Sequence, residues 1–158
     1  MRARDYADMS AADRDCCHQA REAAAHSHDP AVQVGALVSS KEGRVVARGC
    51  NSLPNGVRVT RTRLSDRELK LELIVHAEIN ALISAGHQAL GGTLFVWGRP
   101  VCARCAGPII QAGVVRVVMP SPESAMSETG FWARSGRLAA DMFEEAGVAV
   151  DVYSLFCE

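Results

Sequence analysis

The chain lacks a dominant charge of either sign. Over 158 residues its basic and acidic side chains nearly cancel, leaving a formal net charge of −1. A surface so balanced offers polyanions no broad cationic face, which disfavours nucleic acid as the main partner. Also missing is an apolar run long enough to span a bilayer, and no charged-then-apolar leader opens the sequence. A cytoplasmic location without a membrane partner is therefore expected. No internal repeat, low-complexity tract or interdomain linker divides the chain. With 48% hydrophobic and 22% charged residues, the composition suits one domain over residues 1–158.

Six cysteines are present. In a short secreted protein they would suggest a disulfide framework, but in reducing surroundings paired cysteines near a histidine read better as metal ligands. Two of them form Cys102-Ala103-Arg104-Cys105, and upstream stands His76-Ala77-Glu78.

The pattern places these motifs. Ser10 caps a predicted helix over 11–25, ended by His26-Ser27-His28-Asp29-Pro30. Residues 32–38 and 45–48 are apolar and β-branched, joined by a turn-like Lys41-Glu42-Gly43-Arg44, and read as a hairpin. A loop follows over 51–65, with Arg58, Arg61 and Arg63. Ser65 or Asp66 then opens a helix carrying Leu69, Leu73, His76, Ala77 and Asn80 as far as Gly86. A strand over 93–97, a helix over 102–112, a strand over 114–119, a helix over 129–146 and a strand over 148–152 complete the order αββαβαβαβ. Strands separated by helices favour parallel crossovers, so the expected fold class is α/β, three layers, with a mixed five-stranded sheet covered by helices on both faces.

A Cys-x-x-Cys at a helix start brings two thiolates to one metal, and the helix N-terminus favours their deprotonated form. His76 is the obvious third donor. On a continuous helix His76 and Glu78 lie about 200° apart around the axis, so both can serve one site only at the helix's N-terminal turn. A plainer reading makes the cysteines a redox pair or small core residues and His76 a hydrogen-bonded core histidine. The full arrangement favours catalytic Zn2+, because one imidazole and two thiolates leave an open coordination position and Glu78 remains as a proton carrier. His18, His26 and His28 read as surface or helix-ending residues, and the other cysteines as buried small ones. Phe131 and Trp132 read as packing residues, with room for a subunit contact or a lid.

These motifs resemble the cytidine and deoxycytidylate deaminase superfamily, most of all its dCMP branch. The likeness runs from about Val32 to Met119 and includes Val34-Gly35-Ala36, Gly49-Cys50-Asn51, His76 to Ala81, Thr93 to Val96, Cys102 to Ala106 and Ile109 to Gly113. It implies the cytidine deaminase-like α/β/α fold, zinc on His76, Cys102 and Cys105, and Glu78 as the catalytic residue, carrying a proton from the attacking water to the ring nitrogen and then to the departing ammonia. It implies further that the Ala77 N–H meets a carbonyl of the base, that Asn51 lies near sugar and base, and that the chain forms a homo-oligomer. Arg58, Arg61 and Arg63 could clamp a 5′-phosphate or could simply be a solvated loop. The expected substrate is a small-molecule nucleotide or nucleobase, a dCMP-like cytosine nucleotide first; the alternatives are another aminated base, nucleoside or modified nucleotide, or a non-catalytic zinc protein that binds nucleotides. Two departures stand out. Val101 intervenes between Pro100 and Cys102, and Cys50 and Ser52 replace the Tyr and Gly that a regulated dCMP deaminase carries after Gly49.

Overall fold

Alternation along the strands sorts the core into two faces. On β2 (Gly35–Ser39) and β4 (Thr93–Trp97), Ala36, Val38, Leu94 and Val96 point one way, and Leu37 and Phe95 the other. The same division continues on β5 (Arg116–Pro120) and β6 (Ala149–Tyr153), where Val117, Met119, Val150 and Val152 oppose Val118 and Tyr153. Each set needs a cover. Helix α1 (Ala11–Ala24) lays Cys16, Cys17 and Ala20 on the second face, while α4 (Ala77–Ala85), α5 (Ala103–Gln111) and α6 (Phe131–Glu145) cover the first. The result is the three-layer α/β/α architecture in a computed structural model that describes residues 1–4, 6–124 and 130–154.

The sheet has six strands rather than the expected five, in the order β1-β6-β5-β4-β2-β3, with β1 at Arg2–Arg4 and β3 at Val45–Cys50. Strand β2 runs antiparallel to β3 and β4; the remaining pairs are parallel. The extra strand is the three-residue Arg-Ala-Arg, which carries no apolar alternation and joins the edge through backbone pairing with β6. It left no sequence signal.

A second difference lies before α4. In place of one helix from residue 66 to 86, the chain forms α2 (Arg61–Ser65) and α3 (Arg67–Leu73), leaves helical geometry at Ile74, and starts α4 at Ala77 with His76 as N-cap. A β-bridge between Val75 and Ser52 takes their backbone groups, at 2.8 and 3.1 Å, and so stops the helix. Gly49 permits this packing. A Cβ there would sit 2.5 Å from the Ala81 nitrogen and 2.7 Å from the Ala77 oxygen, so β3 and α4 touch backbone to backbone. The opposite layer is fastened by Arg116, whose guanidinium reaches Asp13 on α1 at 2.8 Å and Asp151 on β6 at 2.7 Å. Thr129, the expected start of the last helix, and Cys157 lie outside the described residues.

Candidate active site

Antiparallel pairing of β2 brings three segments to one end of the sheet. Gly35 pairs with both Cys50 and Trp97, so the start of β2 adjoins the ends of β3 and β4. From there Asn51 leaves β3, and the turn through Gly98 leads β4 into α5. Gly98 has φ +98°, and a Cβ on it would meet the Gln33 oxygen at 2.6 Å, so the turn needs glycine.

Two helix N-termini then face one another. His76 caps α4 and Cys102 caps α5, neither through a side-chain hydrogen bond, which leaves both side chains free to point into the gap. The His76 Nδ1 lies 3.3 Å from the Cys105 Sγ and 3.5 Å from the Cys102 Sγ. All three donor atoms fall within 4.8 Å of one another. One nitrogen and two sulfurs at this spacing suit a single tetrahedral soft-to-borderline cation such as zinc. Both cysteines are unbridged.

The electrostatics match that use. The Cys102 thiol is pushed well down, first by a hydrogen bond shared with Cys105 and then by one from His76. Cys105 is pushed up as the donor of that bond and by its burial. His76 is raised by its hydrogen bond to Cys102. The carboxyl of Glu78, 4% exposed, is driven up to about 7, mainly by burial, and a hydrogen bond from Cys105 offsets part of that rise. An acid thus lines the same cavity as His76 without itself joining the three-donor cluster.

His76 and Glu78 line a small cavity of about 30 Å³ together with Val34, Asn51, Ala77, Arg99, Pro100 and Trp132. Asn51 is where the sequence puts it, but both ends of its amide hold backbone: Oδ1 accepts the Val34 N–H at 2.8 Å and Nδ2 donates to the Val32 oxygen at 2.9 Å. Arg58 and Arg63 line a different, open cavity with Gly56, Val57 and Thr60, and Arg61 lines neither. The structure does not bring these arginines to His76.

Helix α6, whose Phe131 and Trp132 read from the sequence as packing residues with room for a lid, reaches the site itself. Its first turn sets the Trp132 ring 6.0 Å from the His76 ring, with Phe131 edge-on to Trp132 at 5.4 Å. Further along, the Ser135 hydroxyl accepts the Ala103 N–H at 3.0 Å, tying α6 to the first residue of α5. An aromatic pair at a helix start, in a chain with only 5% aromatics, was the available signal.

Fold and donor set define a class, and sequence comparison agrees with it. The profile described as "Cytidine and deoxycytidylate deaminase zinc-binding region" matches residues 10–121, so the chain belongs to the cytidine and deoxycytidylate deaminase family and is a hydrolytic deaminase. It is 36% identical over 124 residues to an "Uncharacterized deaminase in luxG 3'region" of Aliivibrio fischeri, covering 78% of this chain and 81% of that one. To the deoxycytidylate deaminase of Pongo abelii it is 32% identical over 124 residues, covering 75% of this chain and 68% of that one. The apo crystal structure of the dCMP deaminase of cyanophage S-TIM5 superposes with a TM-score of 0.67 at 25% identity, covering 91% of this chain and 99% of that chain. No helix among the described residues is long and apolar enough to cross a membrane.

Proposed function

We propose that the chain hydrolyses the exocyclic amino group of a cytosine nucleotide resembling dCMP, giving the uracil nucleotide and ammonia. The observation that carries this reading is the buried Glu78 carboxyl beside a nitrogen and two sulfurs that share one metal position. His76, Cys102 and Cys105 would hold zinc, which would supply a nucleophilic water at neutral pH.

The chain's own groups do the rest. Glu78 accepts one proton at its carboxylate from the attacking water and delivers it to the ring nitrogen, then takes the second from the newly added hydroxyl and passes it to the departing amine, which leaves as ammonia as the carbonyl forms. A carboxyl poised near neutrality suits both directions of transfer. The Ala77 N–H lies in the first turn of α4, where helix N–H groups lack intrahelical partners, and donates to the base carbonyl. Asn51 fixes Val32 and Val34 as the cavity wall. Trp132, beside His76, offers a flat base an aromatic face.

Similarity to deoxycytidylate deaminases supports the choice of base and phosphate. Val101, standing between Pro100 and Cys102 where the family pattern has Pro directly before Cys, favours as a second reading another aminated base or nucleoside. One sheet holding both Arg2 and Tyr153 supports a single deaminase domain over 1–158, and the family resemblance supports a cytoplasmic homo-oligomer. The test is ammonia release from zinc-loaded protein across dCMP, CMP, deoxycytidine, cytosine and other aminated bases. The highest kcat/KM on dCMP is expected; a higher value on a non-cytosine base overturns the substrate assignment, and no turnover on any of them would make this a binding protein.

A further inference from the structure

The cavity beside Glu78, about 30 Å³, admits only the reacting edge of a base. The rest of a substrate must lie outside it. A groove of about 650 Å³ shares His76 and Trp132 as walls with that cavity and runs between α3 and the first turns of α5 and α6. It is the natural exit for a sugar attached to a base held at His76.

The charged groups along it are not equivalent. Lys70 is committed to Asp29 at 3.0 Å, with both side chains largely buried, and the same carboxylate oxygen accepts the N–H of Ala31 at 2.9 Å. That pair is spent on holding α3 to the turn before β2. Arg67 and Arg104 are exposed on the groove and, among the described residues, make no hydrogen bond or ion pair. Glu72 is the opposing acid, so the two guanidiniums leave the groove net positive once Lys70 and Asp29 cancel. Arg104 also lies in the first turn of α5, where the helix dipole adds to its attraction for an anion, and its charge is felt at His76. By contrast, Arg58 and Arg63 face another cavity, and the Arg63 guanidinium is already turned to the Arg58 carbonyl at 2.6 Å.

We propose that this groove takes the sugar and phosphate of the substrate and that Arg104 and Arg67 bind the phosphate. The inference rests on the nucleotide deaminase reading above. Guanidinium forks from two different helices converging on one groove can engage separate phosphate oxygens, giving preference for a monophosphate over its nucleoside.

The test compares zinc-loaded wild type with Arg104→Ala, Arg67→Ala and Arg58→Ala. Two readouts are taken: ammonia release from dCMP and deoxycytidine, and calorimetric binding of dUMP and deoxyuridine. Replacing Arg104 or Arg67 is expected to raise the KM for dCMP and weaken dUMP binding about tenfold or more, with deoxycytidine and deoxyuridine changed less than about twofold. Arg58→Ala is expected to match wild type. If wild type prefers dCMP while the Arg104 and Arg67 variants keep its KM, or lose nucleotide and nucleoside equally, the groove assignment is overturned and the deaminase reading stands. If wild type deaminates no cytosine nucleotide yet loses dUMP affinity on replacement of Arg104, the substrate reading falls and the groove assignment stands.

Discussion

Glu78 occupies a position where stability alone would reject an acid. It is almost fully buried, and burial drives its carboxyl up to about 7. Such a group is tolerated where its proton is put to use. Glu78→Gln keeps the side chain's shape and leaves the three donors untouched. The expected result is unchanged zinc content with turnover lower by about 10²-fold to 10⁴-fold; paired metal analysis and ammonia assay decide it, and a variant retaining most of the activity removes Glu78 from the proton path. His76, Glu78, Cys102 and Cys105 were legible because their chemistry demands those residue types at short spacing. Arg58, Arg61 and Arg63 suit a phosphate by residue type, but local sequence cannot say which cavity a loop faces, and Arg58 and Arg63 line one apart from His76. Arg104 stands between the two cysteines in the sequence, but its place on the groove emerges only when the fold makes α3 and α5 walls of one cavity.

At the scale of elements, the break at Ile74 to His76 governs the site. Apolar residues at three- and four-residue intervals continue through this stretch, so periodicity carried a helix across it. The competing force was a distant one: the Ser52 to Val75 bridge claims backbone groups that a helix would have used, and Asn80 donates from α4 to the Cys50 oxygen at 2.8 Å. Breaking there makes His76 an N-cap and lets Glu78 and His76 converge, which a continuous helix forbids. Gly49 is the element-level test of this arrangement. Gly49→Ala forces a methyl group against the backbone of α4, and a loss of about 2 kcal/mol or more is expected from denaturant unfolding, with weaker zinc retention as His76 shifts. Gly107→Ala on α5, where a Cβ meets nothing within 4 Å, is the control and should be neutral or stabilising by about 0.5 kcal/mol. Equal stability of the two variants would show that β3 and α4 do not need this close approach.

For the molecule as a whole, layers and strand alternation were readable because they follow from local apolar patterns and from the crossover rule. The sixth strand was not, because Arg2–Arg4 joins the sheet through backbone pairing with β6 and shows no apolar alternation in its sequence. The position of α6 was equally hidden. Its amphipathic pattern announces a helix, yet only the folded chain places Trp132 beside His76 and Ser135 on the N–H of Ala103. The whole architecture serves to set two helix N-termini face to face at one end of the sheet. Metal and sulfur analysis of the freshly purified protein tests that claim most directly. The account predicts about one zinc per chain, both Cys102 and Cys105 as free of each other as in the structure, and ammonia release that disappears on chelation and returns with zinc. Full activity in metal-free protein, or an active form in which Cys102 and Cys105 are joined as a disulfide, would contradict it.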